Sequence, residues 1–548
     1  MKKIPDMKKG VAFLTAGIIM LTSAVGCGKT GKTSPGGDGT QSGGSANAAV
    51  TYPMKTVQLT YAMRPSTAWS KRYKNYTDLP FVKELEKKTG VELKMVQPQD
   101  SSAMNLLIAS GDLPDIINYN WITYYTGGET KAVEDGIIYG MSKDFVKKNA
   151  PDYWKEINST PNLLKQVETP SHQITGFAFI LGDPLLKSGQ GLMVRDDWCK
   201  ELGIQIPQTA DQFESMLKDF KDKKGAQVPL SLYADENAGS LESCLKNGFI
   251  TSAFNLPTSD FYLKNGKTVT AGFAQKEYKN ALAWLHKLYQ EKLLDPNFAT
   301  VKQDTINANM LTGKSGVTAG AAGSVLGTLL VTNKNNANYS LAGIQGLVAK
   351  SGEKPMYGHY NNDVPASNDI ITASCKNKEA AARFLNYGYT KEGHLLYNFG
   401  IEGESYTMQD SKPVYTDKIL NPGNGLSVQE SMADYMLAYG NGPFVQDKDY
   451  LLQYYKLDAQ KTALKNWSDH DAAKYKLPSY SVSSDKVNEY SSTLSDIKTY
   501  VEEMTIKYVN GTESLDTFDT KYLSTLKSMG LDRVTQIIQD AVKEYNAR

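Results

Sequence analysis

The stretch VQLTYAMRPSTAWSKRYKNYTDLPFVKELEKKTGVELKMVQPQDSSAMNLLIASGDLPDIINYN, residues 57–120, decides the fold class. Val57, Leu59, Tyr61 and Met63 alternate with mostly polar neighbours, the period of a half-buried strand. Pro80 then sits near a first helical position, Phe81, Val82 and Leu85 form a buried stripe, and Gly90 follows Lys87, Lys88 and Thr89 as a stop. Val91, Leu93 and Met95 alternate again. Met104, Leu106, Leu107 and Ile108 mark a short helix closed by Gly111, and Asp115 to Tyr119 reads as a third, buried strand. Strand, helix, strand, helix, strand is the pattern of an α/β sheet with parallel pairing and right-handed crossovers. Ligands of such sheets collect beyond the carboxyl ends of the strands. The loops to watch are therefore Arg64–Trp69 and Asn118–Tyr125.

Downstream, a second α/β block is expected from Gly191, with Leu192–Arg195 as a strand and Ala210 to Phe220 as a helix. Val228–Tyr233 reads as a further strand, and a long helix carries Ala281, Trp284, Leu285 and Leu288 on one face. A glycine-rich turn is expected over Ala319 to Gly323. The region from Tyr500 reads as helical, ending with Leu531, Val534, Ile537, Ile538, Val542 and Tyr545 at helical spacing. No internal repeat of fixed period is present in the sequence.

Upstream, Lys2, Lys3, Lys8 and Lys9 precede an apolar run from Val11 to Val25, then Gly26 and Cys27. A basic start, a short apolar run and small residues describe a secretory signal rather than a spanning helix. The cysteine after Gly26 makes it resemble a bacterial lipoprotein signal, with Ala24 where Leu is usual. That resemblance implies a signal over residues 1–26 and a palmitate-type lipid on Cys27. Residues 27–50 carry almost no side chain larger than alanine that could be buried, so they read as a flexible linker.

About 500 residues remain after the linker, enough for two or three domains. Sixty basic residues against fifty-nine acidic ones leave no basic footprint, which argues against a nucleic-acid partner. Beyond Cys27, three cysteines (Cys199, Cys244, Cys375) give an odd number without paired spacing, so a disulfide framework is not expected, and a single bridge between two of them is the alternative. Five scattered histidines form no metal spacing. Tyrosine is abundant, at 33 copies beside six tryptophans; such rings suit the apolar faces of sugars, and equally a large amphipathic core.

Several longer stretches resemble one family: SGDLPDII (110–117), VRDDWCKELGI with PQTADQF (194–213), CKNKEAAARFLNYGYTKEGHLLYNFGIEGESYT (375–407) and NGTESLDTFDTKYLSTLKSMGLD (510–532). They are similar to the extracellular solute-binding proteins of family 1, in the long lipoprotein branch that serves carbohydrate importers of the ATP-binding-cassette type in Gram-positive Firmicutes. The resemblance implies a two-lobe α/β fold of the type II periplasmic-binding-protein kind, with a central cleft, a hinge and a helical C-terminal region. By it, the first lobe takes residues 51–188 plus 355–417 and the second takes 189–354 plus 418–548. It implies a monomeric receptor tethered to the outer face of the cell membrane through Cys27. Such a receptor captures an oligosaccharide and hands it to the permease, without catalytic residues, cofactor or metal. A receptor for a peptide or another polar solute is the alternative, and an exported glycan-processing enzyme the more distant one. The family's calcium loop is replaced by Phe220–Ala226, FKDKKGA, whose lysines cannot supply oxygen ligands.

In this family the loops after the first and third strands meet the solute. Here they offer Arg64, Ser66 and Trp69, then Asn118, Asn120, Trp121 and Tyr124. The second lobe offers Tyr233, Asp235 and Glu236 after the expected strand, Ser324 at the end of GAAGS (320–324), and the aromatics Tyr406 and Trp467. Each has a plainer reading: a tryptophan as a lid over core, or an acidic turn capping a helix. Trp154 and Trp284 lie on helical stripes and read as core, and Arg195 and Asp197 as a mutual pair beside Trp198.

Overall fold

A computed structural model describes residues 49–233, 239–365, 367–423 and 425–548. The opening stretch folds as its pattern requires. β1 (Val57–Ala62) leads through α1 (Pro80–Thr89) to β2 (Val91–Val96), and α2 (Ser101–Ser110) leads to β3 (Ile116–Asn120). Pro80 occupies the first turn of α1. Gly90 ends the helix at φ 77°, its N–H returning 2.8 Å to the Glu86 carbonyl. Only glycine suits that left-handed position, and a Cβ there would also overlap the Met54 backbone. Asp100 caps α2 by accepting the Ala103 N–H at 2.7 Å. β1 pairs in parallel with both β2 and β3.

Farther along come β4 (Phe177–Ala178), β5 (Gln190–Arg195), α3 (Ala210–Lys224), α4 (Lys276–Gln290), β6 (Val317–Ala321) and β7 (Leu341–Ile344). β8 (Ser367–Ile371) returns to the first sheet, whose order is β2-β1-β3-β8-β4, and runs antiparallel to both of its neighbours. The second sheet, β7-β5-β6, is antiparallel throughout. The helical C-terminal region holds α5 (Asp458–Ser468), α6 (Val487–Asn510) and α7 (Leu531–Ala547).

Isolated parallel bridges join Leu230 to Leu294 and to Val317 in the second block. Three expectations need correction. Val228–Tyr233 makes only isolated bridges, at Leu230 and Tyr233; Pro229 has no N–H to give a ladder. The glycine-rich turn expected over Ala319 to Gly323 is absent there: β6 continues to Ala321 and a π-helical segment, Ala322–Gly327, follows directly. The C-terminal helix begins at Val487 rather than Tyr500.

Each sheet has its own core. Leu59, Phe81, Val82, Tyr153, Phe177 and Phe384 pack on the first. Val194, Phe213, Phe220, Leu285 and Val317 pack on the second, together with Tyr508, Val534 and Ile538 from the C-terminal helices. Trp284 lies in this second core between Phe213 and Phe254, as its helical stripe suggests. The chain passes between the sheets from β4 to β5, from β7 to β8, and again after Val445–Gln446, which pairs in parallel with Ile180–Leu181. Two lobes joined by crossing segments result. Residues 428–446, expected with the second lobe, contact both sheets: Arg72 of the first lobe pairs with Asp434 and donates to the Glu430 carbonyl at 2.8 Å, while Met432, Met436 and Ala438 share a core cluster with Met193 and Leu341 of the second sheet. Phe444 stacks on Tyr397 at 5.0 Å in the first core. Cys199, Cys244 and Cys375 are free, buried thiols, and burial pushes Cys199 up to about 12.

Candidate ligand-binding site

The carboxyl ends of β1 and β3 and the start of β8 lie side by side, and this edge carries the first group of candidates. Arg64 is exposed just beyond β1. Ser66 caps a one-turn helix, Thr67–Ser70, accepting the Ala68 N–H at 3.2 Å. That helix turns Trp69 inward, where it is buried against Tyr76 at 5.7 Å, so Trp69 anchors the loop rather than facing solvent. Asn120 caps the next short helix, Trp121–Tyr124, through the Thr123 N–H at 2.9 Å. Trp121 is fully buried, edge-on to Tyr119 at 5.5 Å, and its indole N–H has no partner among the described residues. Tyr124 is 43% exposed and stacks on Tyr119, whose hydroxyl donates to Asn105 Oδ1 at 2.6 Å. The open edge thus presents Arg64, Ser66, Asn118, Asn120 and Tyr124, over indoles that belong to the core.

Beneath this edge lie groups that the sequence did not single out. Asp369 of β8 is opposite Asn118 of β3. It accepts hydrogen bonds from the Tyr61 hydroxyl and from Asn118 Nδ2, the latter at 3.0 Å. Burial pushes its carboxyl up to about 7, against the pull of those two donors. Glu129 is likewise raised by burial while accepting from Thr175 and Asn368. The clue was a polar pair, Asn368-Asp369, opening an apolar strand; only the pairing register places it beside Asn118.

The second group is dispersed. Tyr233 is buried, bridged to Ser240 beside Gly239, while Asp235 and Glu236 lie outside the described residues. Ser324 is exposed in the π-helical segment Ala322–Gly327 that follows β6, where Gly323 packs on the Tyr455 ring. Tyr406 is buried under its own hairpin, tilted on Phe399 at 6.2 Å. Trp467, offered as a ligand-binding aromatic, is buried. It lies under α5 with its N–H donating to the Leu192 carbonyl at 3.2 Å, and Gly191 and Gly343 leave room for its ring. Arg195 does pair with Asp197, at 2.8 and 2.5 Å. Its guanidinium is also sandwiched between Trp198 and Tyr339 at 4.3 and 4.4 Å, a structural clamp at the end of β5.

The crossing segments meet at a polar cluster. Lys187 pairs with Asp363; burial would raise that carboxyl, but bonds from Lys187 and Gln166 hold it below the usual range. Burial pushes His359 down to about 4, helped by Lys476 and His470, so it is neutral near pH 7 and accepts the Gly189 N–H at 3.3 Å. Gly358 lets the His470 ring lie directly on the backbone, and Asp471 N–H bonds to the Pro355 carbonyl at 2.9 Å. Where calcium ligands would be expected, α3 runs on to Lys224; Lys223 pairs with Asp219 at 2.8 Å and Lys224 with Glu201 at 2.6 Å.

A family profile described as bacterial extracellular solute-binding protein matches residues 69–394. The chain belongs to this family. The lipoprotein LipO of Bacillus subtilis is 26% identical over 69% of this chain and 74% of its own length. A fructooligosaccharide ABC transporter substrate-binding protein, FusA, of Streptococcus pneumoniae is 24% identical over 65% of each chain, so the match spans just under two thirds of that relative. An HMO-binding, ABC-transporter-associated solute-binding protein from Bifidobacterium longum infantis shares the fold with a TM-score of 0.71 at 20% identity, over 90% of this chain and 99% of the other. The two-lobe architecture is therefore that of the solute-binding family.

Proposed function

We propose that this chain is the substrate-binding lipoprotein of an ATP-binding-cassette importer. It captures an oligosaccharide between its lobes and delivers it to the membrane permease. The observation that carries the reading is the open edge of the first sheet, where Arg64, Ser66, Asn118, Asn120 and Tyr124 offer hydrogen bonds and a ring face at strand ends. The family, together with the sugars named for two similar proteins, supports a carbohydrate over a peptide. Ligand contacts from both lobes would favour a closed state, and closure is the signal that a permease reads. Cys27, at the end of a signal-like stretch, is taken as the lipid anchor on the extracytoplasmic face; the receptor works as a monomer, without turnover. The lobes are assigned as 51–188 plus 355–446 and 189–354 plus 447–548, with the first boundary moved to include the packing of residues 428–446.

Titration calorimetry and thermal shift against neutral and acidic oligosaccharides and against oligopeptides test this. An oligosaccharide present at a hundredfold excess over its Kd should stabilise the protein by about 2.7 kcal/mol. Tyr124→Ala should weaken that binding about threefold to tenfold without lowering the melting temperature of the free protein, since the ring is half in solvent. Binding of peptides alone replaces the carbohydrate reading. Sustained release of reducing ends, lost in a carboxylate variant, replaces the receptor reading with an enzyme.

A further inference from the structure

A pocket of about 380 Å³ opens beside the second crossing segment, at the low end of the roughly 300–1,000 Å³ typical of small-molecule sites. Tyr357, Tyr360 and Asn361 of that crossing form one wall, Lys476 and Tyr480 a second, and Lys498 of α6 a third. Its charged lining is unbalanced: Lys246, Lys476 and Lys498 face a single carboxylate, Asp260. Lys246 is matched by Glu242 one turn away. Among the described residues, neither Lys476 nor Lys498 makes an ion pair. Lys476 donates to the Tyr360 carbonyl and lies over that ring at 5.3 Å, while Lys187 lies over the same ring at 5.6 Å with Asp363 as its own partner. Burial of this half-buried ammonium pushes Lys476 down to about 8, with Lys187 adding repulsion and the Asp363 carboxylate only partly opposing it.

We infer that this pocket holds an anionic sugar unit, a ring whose acid is a carboxylate or a sulfate ester. The acid would lie between Lys476 and Lys498 and the ring among the tyrosines. The inference rests on the receptor reading above and names the class of its ligand. The supporting geometry is independent of the first-sheet edge. Two lysines without an ion pair among the described residues supply point charges, the Tyr357 ring supplies an apolar face, and Asn247 Oδ1 and the Asn361 amide are placed to meet ring hydroxyls. Gly127, just past the Trp121 helix, approaches Val487 of α6, one turn from Tyr490 of the pocket. A glycan lying along the edge would reach α6 there. An acid bound at this point also touches a crossing segment, so it would weigh directly on closure.

The probes are trisaccharides of galacturonate, glucuronate and mannuronate and a 6-O-sulfated galactan trisaccharide, each paired with its carboxyl-reduced or desulfated counterpart. They are titrated calorimetrically into the full chain. At least one acidic member should bind about tenfold or more tighter than its neutral partner. That preference should shrink to under about threefold in Lys476→Met and in Lys498→Gln; the second alters a helix-surface residue and guards against misfolding of the first. A carboxylate or a sulfate source is told apart by which pair shows the preference. Equal binding within every pair, or a preference that survives in both variants, overturns the inference and leaves the receptor reading standing. Silence of all eight probes overturns it as well, and if peptides bind instead, the receptor reading for carbohydrates falls with it.

Discussion

Asp369 is the residue whose chemistry is most at odds with its surroundings. Its carboxyl is enclosed by Tyr61, Asn118 and the first core, with no cation against it among the described residues, and burial lifts it from 3.8 to about 7. The folded value stands above the unfolded one, so the proton stabilises the fold. The contribution is complete below pH 4 and is lost as pH rises through about 7; the gap corresponds to about 4 kcal/mol. Glu129, raised by the same cause, adds to the same trend. Asp369→Asn keeps an acceptor for Tyr61, and Asn118 can turn its amide to present a carbonyl. The wild type should therefore lose stability between pH 4 and pH 8 in guanidinium titrations, and the variant should lose markedly less. An unchanged pH slope in the variant would assign the loss elsewhere. The site was half legible at this scale. Strand-end loops were found because strand ends are written in the alternation. The facing of Trp69 and Trp121 was not, because a one-turn helix after each loop rotates the indole inward and nothing in the residue order marks that rotation.

Elements divide along the same line. α1, α2 and β1 to β3 were readable because Pro80, Gly90, Asp100 and Gly111 act through local backbone geometry. The antiparallel insertion of β8 and the antiparallel second sheet were not, since strand direction is decided by partners far along the chain. Trp467 shows how such partners fix an element. α5 has no ladder of its own on the second sheet; it is seated by an indole that fills the space left by Gly191 and Gly343 and donates to the Leu192 carbonyl. Ala463 of the same helix meets Gly343 directly. Removing that ring opens a cavity and leaves α5 held by smaller contacts, so Trp467→Ala should cost about 3–5 kcal/mol. Denaturant unfolding measures it; Trp467→Phe, which keeps most of the volume but not the N–H, should cost less. A loss under about 1 kcal/mol for the alanine variant would mean that α5 is seated by other contacts.

At the scale of the whole molecule, the lobes are joined by more than the crossing segments. α7 packs on the second core through Val534, Ile538 and Val542, and its Gln539 bonds with the Val269 N–H at 2.9 Å. Its last turn reaches the first lobe. Tyr545 donates to Asn162 Oδ1 at 3.1 Å, Lys165 Nζ to the Asn546 carbonyl at 3.1 Å, and Arg548 to the Glu168 carbonyl at 2.8 Å. Lys165 also lies over the Tyr545 ring at 5.9 Å. These bonds exist only while the lobes keep this separation, so they bias the hinge. A net hydrogen bond contributes about 0.5–1.5 kcal/mol, and the loss of Tyr545 removes one bond and the ring beneath Lys165. That is enough to shift a two-state hinge by roughly threefold to tenfold toward wider separations. Unliganded Tyr545→Ala should therefore show a larger radius of gyration in small-angle X-ray scattering than the wild type. A saturating oligosaccharide that binds both should bring the two to the same value, because its contacts with both lobes outweigh the missing pair. An unliganded radius that does not change would show that α7 follows the second lobe without holding the first.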